Sequence, residues 1–183
     1  MKKSIKPVIG ILIGTAVAAN AAVVIPSSVS FSSQIAFVDR LAANTIDGSG
    51  LTGPGDATST HGNNENDGWI TIGFIAPTDY NPSITFNLAA ATTIALVNVW
   101  NYNELGGGID YSKHGFRNTT IAFSTNGGGS FTDVWTGDLT RGSAGTALAA
   151  QSLAIAGTGV TNVRFTAHTN WAGDNFDTAT FTG

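Results

Sequence analysis

"NTTIAFSTNGGGSFTDVWTG", residues 118–137, holds two short runs of alternating and β-branched residues on either side of a glycine-rich turn. "NTTIAFST" and "FTDVWTG" carry the period-two pattern of strands, and the Asn-Gly step in "NGGGS" tolerates the positive φ that a tight hairpin needs. Working outward, the same kind of segment recurs as "AVVIPSSVSF", "AFVDRL", "WITIGFI", "SITFNL", "TIALVNVWNY", "AQSLAIA", "VTNVRFTAH" and "FDTATF". Gly, Asn, Asp and Pro clusters separate these runs, and helical periodicity is nearly absent. Many short strands at such spacing predict an all-β fold, an antiparallel sandwich or barrel. No linker, composition break or internal repeat divides it, so residues 22–183 read as one domain.

Residues 1–21 stand apart. Lys2, Lys3 and Lys6 precede the apolar run "PVIGILIGTAVA", and "ANA" at 19–21 gives the small-x-small pattern that signal peptidase reads. The segment is read as a cleaved secretory signal, with an uncleaved anchor as the alternative; the apolar run is short for a membrane span. The mature chain is therefore expected to be secreted, extracellular or on the cell surface, without membrane insertion. The whole chain has 8 Lys+Arg and 12 Asp+Glu, net −4. Three of those cations lie in the signal, leaving five against twelve acids, or −7. Arg40, Lys113, Arg117, Arg141 and Arg164 are scattered and form no phosphate-tracking patch, which argues against nucleic acid as a partner. With no cysteine, neither disulfides nor thiolate metal sites are available, and stability must come from an apolar core. Charged residues are 11%, against a typical ~25%.

Two long loops interrupt the strands: "DGSGLTGPGDATSTHGNNENDG" (47–68) and "NELGGGIDYSKHG" (103–115). Loops of the first one's length are seldom mere connectors. The order of "AANTIDGSGL", "HG…DGW", "ITFNLAAATTIALVNVWNYNE", "TIAFSTNGGGSFT", "AQSLAIAGTGVTNVRFTAHTNW" and "FDTATF" resembles the discoidin-like (coagulation-factor C-terminal type) domains of the galactose-binding-like superfamily. Secreted bacterial versions are the nearest in pattern, and the match spans roughly residues 35–181. The resemblance implies a jelly-roll β-sandwich of about eight core strands. Such domains commonly bind carbohydrate, and sometimes lipid headgroups or protein, through loops at one end, and they are usually non-catalytic.

Sugar recognition needs a flat apolar ring edged by amides and carboxylates. Trp171 in "HTNWAGDN" has that company in Asn170 and Asp174, and is read as a ligand platform, with a strand-end core cap as the alternative. In "WNYNE" strand parity separates Trp100 and Tyr102 from Asn101 and Asn103. The rings are assigned to the sandwich and the amides, with Glu104 beside them, to the rim. His114 and Arg117 complete the expected polar site, unless Arg117 pairs with Asp110 instead. Trp69 is read as packing beneath the first long loop.

The resemblance also implies a structural Ca²⁺ near "IDG". Asn44, Asp47 and Ser49 are candidate oxygen ligands there, with Asp177 near the closing position that aligns with Thr178. The alternative is Asx-turn chemistry without metal. "NNENDG" (63–68) has the alternating oxygens of an EF-type loop, but its twelfth position is Phe74 rather than Glu. No catalytic motif is present, and Glu104 and Asp110 are the one pair of acids that glycosidase chemistry could recruit. His61, His114 and His168 are isolated. The sequence thus favours a secreted, non-catalytic carbohydrate-binding module for an extracellular or cell-surface polysaccharide. Its rival is a self-assembling structural protein, a matrix, sheath or filament subunit, suggested by the weakly charged Ala/Thr/Ser/Gly-rich surface.

Overall fold

The computed structural model describes residues 22–32, 40–64, 67–69 and 81–178. Expectations for 1–21, for most of "AFVDRL" and "WITIGFI", for Glu65, Asn66 and Phe74, and for the end of "FDTATF" fall outside them.

The predicted hairpin forms between β8 (Asn118–Ser124) and β9 (Thr132–Asp138), which pair antiparallel. Gly127 and Gly128 adopt φ of 72° and 88°, where a Cβ is disfavoured. Asn126 closes the turn: its Oδ1 accepts the Ser130 N–H at 3.0 Å and the Ser124 hydroxyl at 2.8 Å. β12 (Gly157–Ala167) pairs with β8 on one side and β4 (Ser83–Ile94) on the other, and β1 (Ser28–Phe31) lies beyond β4. The large sheet therefore runs β1-β4-β12-β8-β9, antiparallel throughout.

Register explains why this sheet has an inside. One cross-strand row reads Phe31, Ile84, Phe165, Ile121, Trp135, and the next reads Val29, Phe86, Val163, Phe123, Thr132. Side chains alternate across a strand, so both rows face the same layer. Ile121 is fully buried, and Phe165 meets Phe86 edge-on with centroids 5.7 Å apart. The rows between carry polar groups to the opposite face, where Asn162 Nδ2 donates to Asn87 Oδ1 at 2.6 Å.

The facing layer is assembled from shorter pieces. β2 (Leu51–Thr52), β3 (Thr60–His61) and β10 (Leu148–Ala149) form one small sheet, and β5 (Val97–Val99) pairs with β11 (Gln151–Leu153). β6 (Leu105–Gly106) and β7 (Ile109–Asp110) make a separate hairpin. Leu139, Leu153 and Ile155 from this side close on Ile84, Phe123, Val163 and Phe165, with Val97, Val99, Phe116 and Trp69 packed around them. The architecture is an all-β antiparallel jelly-roll sandwich, and its twelve described β segments exceed the eight expected because several are only two residues long.

"TIALVNVWNY" is not one strand. β4 ends at Ile94, and β5 covers only Val97–Val99, because beyond Trp100 the Asn101 side chain takes over the backbone's hydrogen bonding. "AVVIPSSVSF" is likewise extended only from Ser28, past the proline that cannot donate to a ladder. Trp69 packs on the core, edge-on to Phe116 at 5.9 Å, with its buried indole N–H finding no partner among the described residues.

Replacing Phe165 by Ala removes a ring from the central strand. It is expected to lower stability by about 3–5 kcal/mol, read from denaturant midpoints at unchanged slope.

Candidate ligand site

Three segments meet at one end of the sandwich: the chain around Arg117, the chain leaving β9, and the turn after β12. Arg117 donates its backbone N–H to Thr169 O at 2.8 Å, and its own carbonyl accepts from Leu139 N at 2.9 Å. The Trp171 N–H reaches Gly115 O at 3.3 Å, and Phe116 forms an isolated bridge with Asn170. Main-chain bonds therefore fix the positions of Arg117, Leu139 and Trp171 before any side chain is considered.

Asn170 shapes its turn from inside. It is 5% exposed, its Oδ1 accepts the N–H groups of Ala172 at 3.0 Å and Asp174 at 2.9 Å, and its Nδ2 donates to Asp174 Oδ2 at 2.8 Å. Asn170 was expected to touch ligand; it is the strut of the loop that carries Trp171 and Asp174.

Trp171 is half-buried, neither a bare platform nor a core residue. Its Nε1–H donates to Leu139 O at 3.2 Å, and the Arg117 guanidinium carbon lies 4.8 Å from its ring centroid. One indole face is thus shared with a cation. Arg117 is paired with Asp138, not Asp110: its Nε donates to Asp138 Oδ2 at 3.0 Å. That bond, followed by one from Asn118, holds the Asp138 carboxyl below the usual range. Both partners are nearly half exposed, so the pair orients more than it stabilises. The two Nη groups of Arg117 make no hydrogen bond among the described residues and stay available as a planar fork. Asp110 instead takes Arg141 Nη2 at 2.6 Å, and its carboxyl is held low chiefly by the Ser112 hydroxyl.

His114 closes the 3₁₀ turn Ser112–His114 beside this group. Its ring lies 5.8 Å from that of Tyr111. Burial lowers its pKa first, Lys113 lowers it further, and Asp174 opposes both. At neutral pH it is an uncharged donor and acceptor.

The amides of "WNYNE" take a different part from the one expected. Asn101 Nδ2 donates to Phe116 O at 2.6 Å and Thr140 O at 3.0 Å, and its Oδ1 accepts the Tyr102 N–H. A Cβ on Gly115 would come within 2.6 Å of that oxygen, so the glycine is required by the clamp. Asn103 is 3% exposed and donates to Thr146 O at 2.9 Å. Glu104, also placed at the rim, is 3% exposed, bonded to the Tyr102 hydroxyl and 3.2 Å from Arg40 Nη2. The amides fasten loops, and Glu104 and Asp110 answer to different cations instead of facing each other across a cleft. Trp100 is half-buried and donates to Ser59 O at 3.1 Å, tying down the first long loop.

The four calcium candidates have separate engagements. Asn44 points its amide N–H at Gly68 O, Asp47 Oδ1 accepts the Ser49 N–H at 2.8 Å, and Asp177 Oδ1 meets His168 Nδ1 at 2.8 Å. His168 also reaches Thr120 on the polar face of the large sheet, whereas the turn holding Asn44 joins the core through Ala42. Tyr111, Asp138 and Thr140 belong to the assembled end, but nothing in their local sequence marks them; only the Tyr111–His114 spacing hints at a turn.

No family model and no curated protein sequence matches the chain. Among solved structures it is similar to the family 32 carbohydrate-binding module of Clostridium perfringens NanJ in complex with galactose, with 15% identity and a TM-score of 0.51 over 80% of this chain and 85% of that one. It is also similar to CpGH89CBM32-5 of Clostridium perfringens in complex with GalNAc-β-1,3-galactose, with 17% identity and a TM-score of 0.50 over 80% and 86%. A truncated AlyQ with CBM32 and alginate lyase domains gives 21% identity and a TM-score of 0.50 over 82% of this chain and 29% of that one. At these identities the likeness is one of fold, an all-β sandwich.

His114 supplies a pH test. Its folded pKa is depressed, so the unfolded chain binds the proton more readily, and stability should fall as pH drops below the ordinary value of 6.5 toward the folded value. His114→Gln is expected to flatten that part of the melting-temperature profile. An unchanged acid-side slope would show that another group governs it.

Proposed function

We propose that the protein is a secreted, non-catalytic carbohydrate-binding module that holds an extracellular or cell-surface polysaccharide at the Trp171 end of the sandwich. The observation that carries this reading is the stacked Trp171–Arg117 pair on loops fixed by main-chain bonds. The indole offers an apolar surface for pyranose C–H groups, and the free Nη fork of Arg117 matches two neighbouring hydroxyls. Neutral His114 and the Asp174 carboxylate add acceptors at the edge. Asn101, Asn103 and Asn170 act behind them as supports. The fold shared with sugar-binding modules supports the reading, and within that fold the discoidin-like type is our assignment. No helix among the described residues is long and apolar enough to cross a membrane, which agrees with an exported chain.

A shallow single site of this kind holds one chain weakly and gains by repetition. A glycan array with the mature chain should identify a saccharide, and Trp171→Ala should weaken its binding about tenfold or more. A folded Trp171→Ala protein that binds as before would remove the site from consideration.

One observation favours a second reading, self-assembly into an extracellular matrix, sheath or filament. Val23, Val24 and Ile25 are 43%, 44% and 65% exposed, and they lead into β1 at the edge of the large sheet. An exposed apolar arm beside an edge strand invites pairing with a second copy. Sedimentation of the mature chain without glycan should then show polymer that Ile25→Ser dissolves; a clean monomer across concentrations would end this reading.

A further inference from the structure

β10 and β11 are nearly consecutive yet belong to different sheets, and the chain crosses between them at Ala150. The crossing leaves a cleft of about 310 Å³. Val99, Leu148, Ala149 and Ala150 give it an aliphatic lining, and Asn101, Thr140 and Gln151 stand at its edge. No ionisable side chain among the described residues lines it. Thr140 follows Leu139, whose carbonyl holds the Trp171 indole, and Asn101 bonds both Thr140 O and Phe116 O, one residue before Arg117. Asn101 and the Leu139–Thr140 chain thus tie the edge of the cleft to the segments that carry Trp171 and Arg117.

Its polar groups are not all spent. Asn101 uses its Nδ2 and Oδ1 on the backbone. Gln151 Oε1 accepts the Thr140 N–H at 2.7 Å, which fixes the amide's orientation. Gln151 Nε2 and the Thr140 hydroxyl make no hydrogen bond among the described residues. A fixed donor and a free hydroxyl beside an aliphatic lining match a neutral group that has a carbonyl, an N–H and a methyl. A carboxylate would find no cation here, and a bare hydroxyl would leave the apolar surface unfilled.

Resting on the glycan site proposed above, we infer that this cleft is a subsite for the acetamido group of a 2-acetamido sugar. The Gln151 Nε2–H donates to the acetamido carbonyl, the Thr140 hydroxyl accepts its N–H, and the methyl lies against Leu148 and Val99. The specificity is for acetamido sugars over their plain counterparts and over uronates.

The test compares methyl glycosides in matched pairs, N-acetylglucosamine with glucose and N-acetylgalactosamine with galactose, by titration of the mature chain. In at least one pair the acetamido member should bind about tenfold more tightly. The Gln151 side-chain N–H₂ resonances should move with that member alone, a readout that needs no variant. Gln151→Glu keeps an oxygen for the Thr140 N–H and removes the donor, so the ratio should fall toward one. Equal binding of both members with Trp171→Ala still weakening it would overturn the subsite and leave the glycan site standing. Binding of neither pair would also overturn it, and a blank array beside that result would take the glycan site too.

Discussion

The inward face of β12 is the constraint on which the rest depends. Val163, Phe165 and Ala167 point into the sandwich, between Ile84 and Phe86 on one neighbour and Ile121 and Phe123 on the other. A slip of one residue would turn that row to solvent and bring Arg164 inward. Val160 is also buried, although it lies three positions before Val163 and simple alternation would place it outside. Register shifts on either side of Val160, one extra residue on β12 before it and three extra on β4 after it, break the alternation there. Gly157 belongs to the same adjustment, since a Cβ there would come within 2.6 Å of the Phe123 ring. With no cysteine in the chain, apolar packing has to hold this register by itself.

Order in the loops comes from asparagine rather than from charge. Asn101, Asn103, Asn126 and Asn170 each bond backbone groups with their side chains, supplying partners that no neighbouring strand provides there. The ion pairs Arg117–Asp138 and Arg141–Asp110 are 41–49% exposed, where solvent screening leaves them little stabilising effect. A chain with 11% charged residues can therefore keep long loops rigid. A rigid end suits recognition of a weak ligand, because little ordering entropy is lost on binding.

That division of labour also bears on chemistry. Glu104, buried among the described residues, is bonded by Tyr102 and Arg40, and Asp110 and Asp138 answer to arginines. The Trp171 end brings together a ring, a guanidinium fork and a neutral imidazole. Such a set can orient a hydroxyl-bearing molecule, as the proposed binding role requires.

From the sequence alone came the hairpin at 118–137, the all-β class and the apolar rows, because period-two alternation and positive-φ turn residues are local properties. Trp171 and Arg117 were legible as candidates for the same reason: their residue types carry the chemistry. The partners were not. That Arg117 meets Asp138 rather than Asp110, that Asn103 and Glu104 are buried, and that Asp177 lies with His168 depend on which loops the sandwich brings together. Strand parity assigned the amides to the rim, and it stopped applying at Trp100, where the strand ends and side chains begin to bond the backbone. The cleft beside Gln151 is tertiary throughout, since it exists only because two adjacent short strands join different sheets.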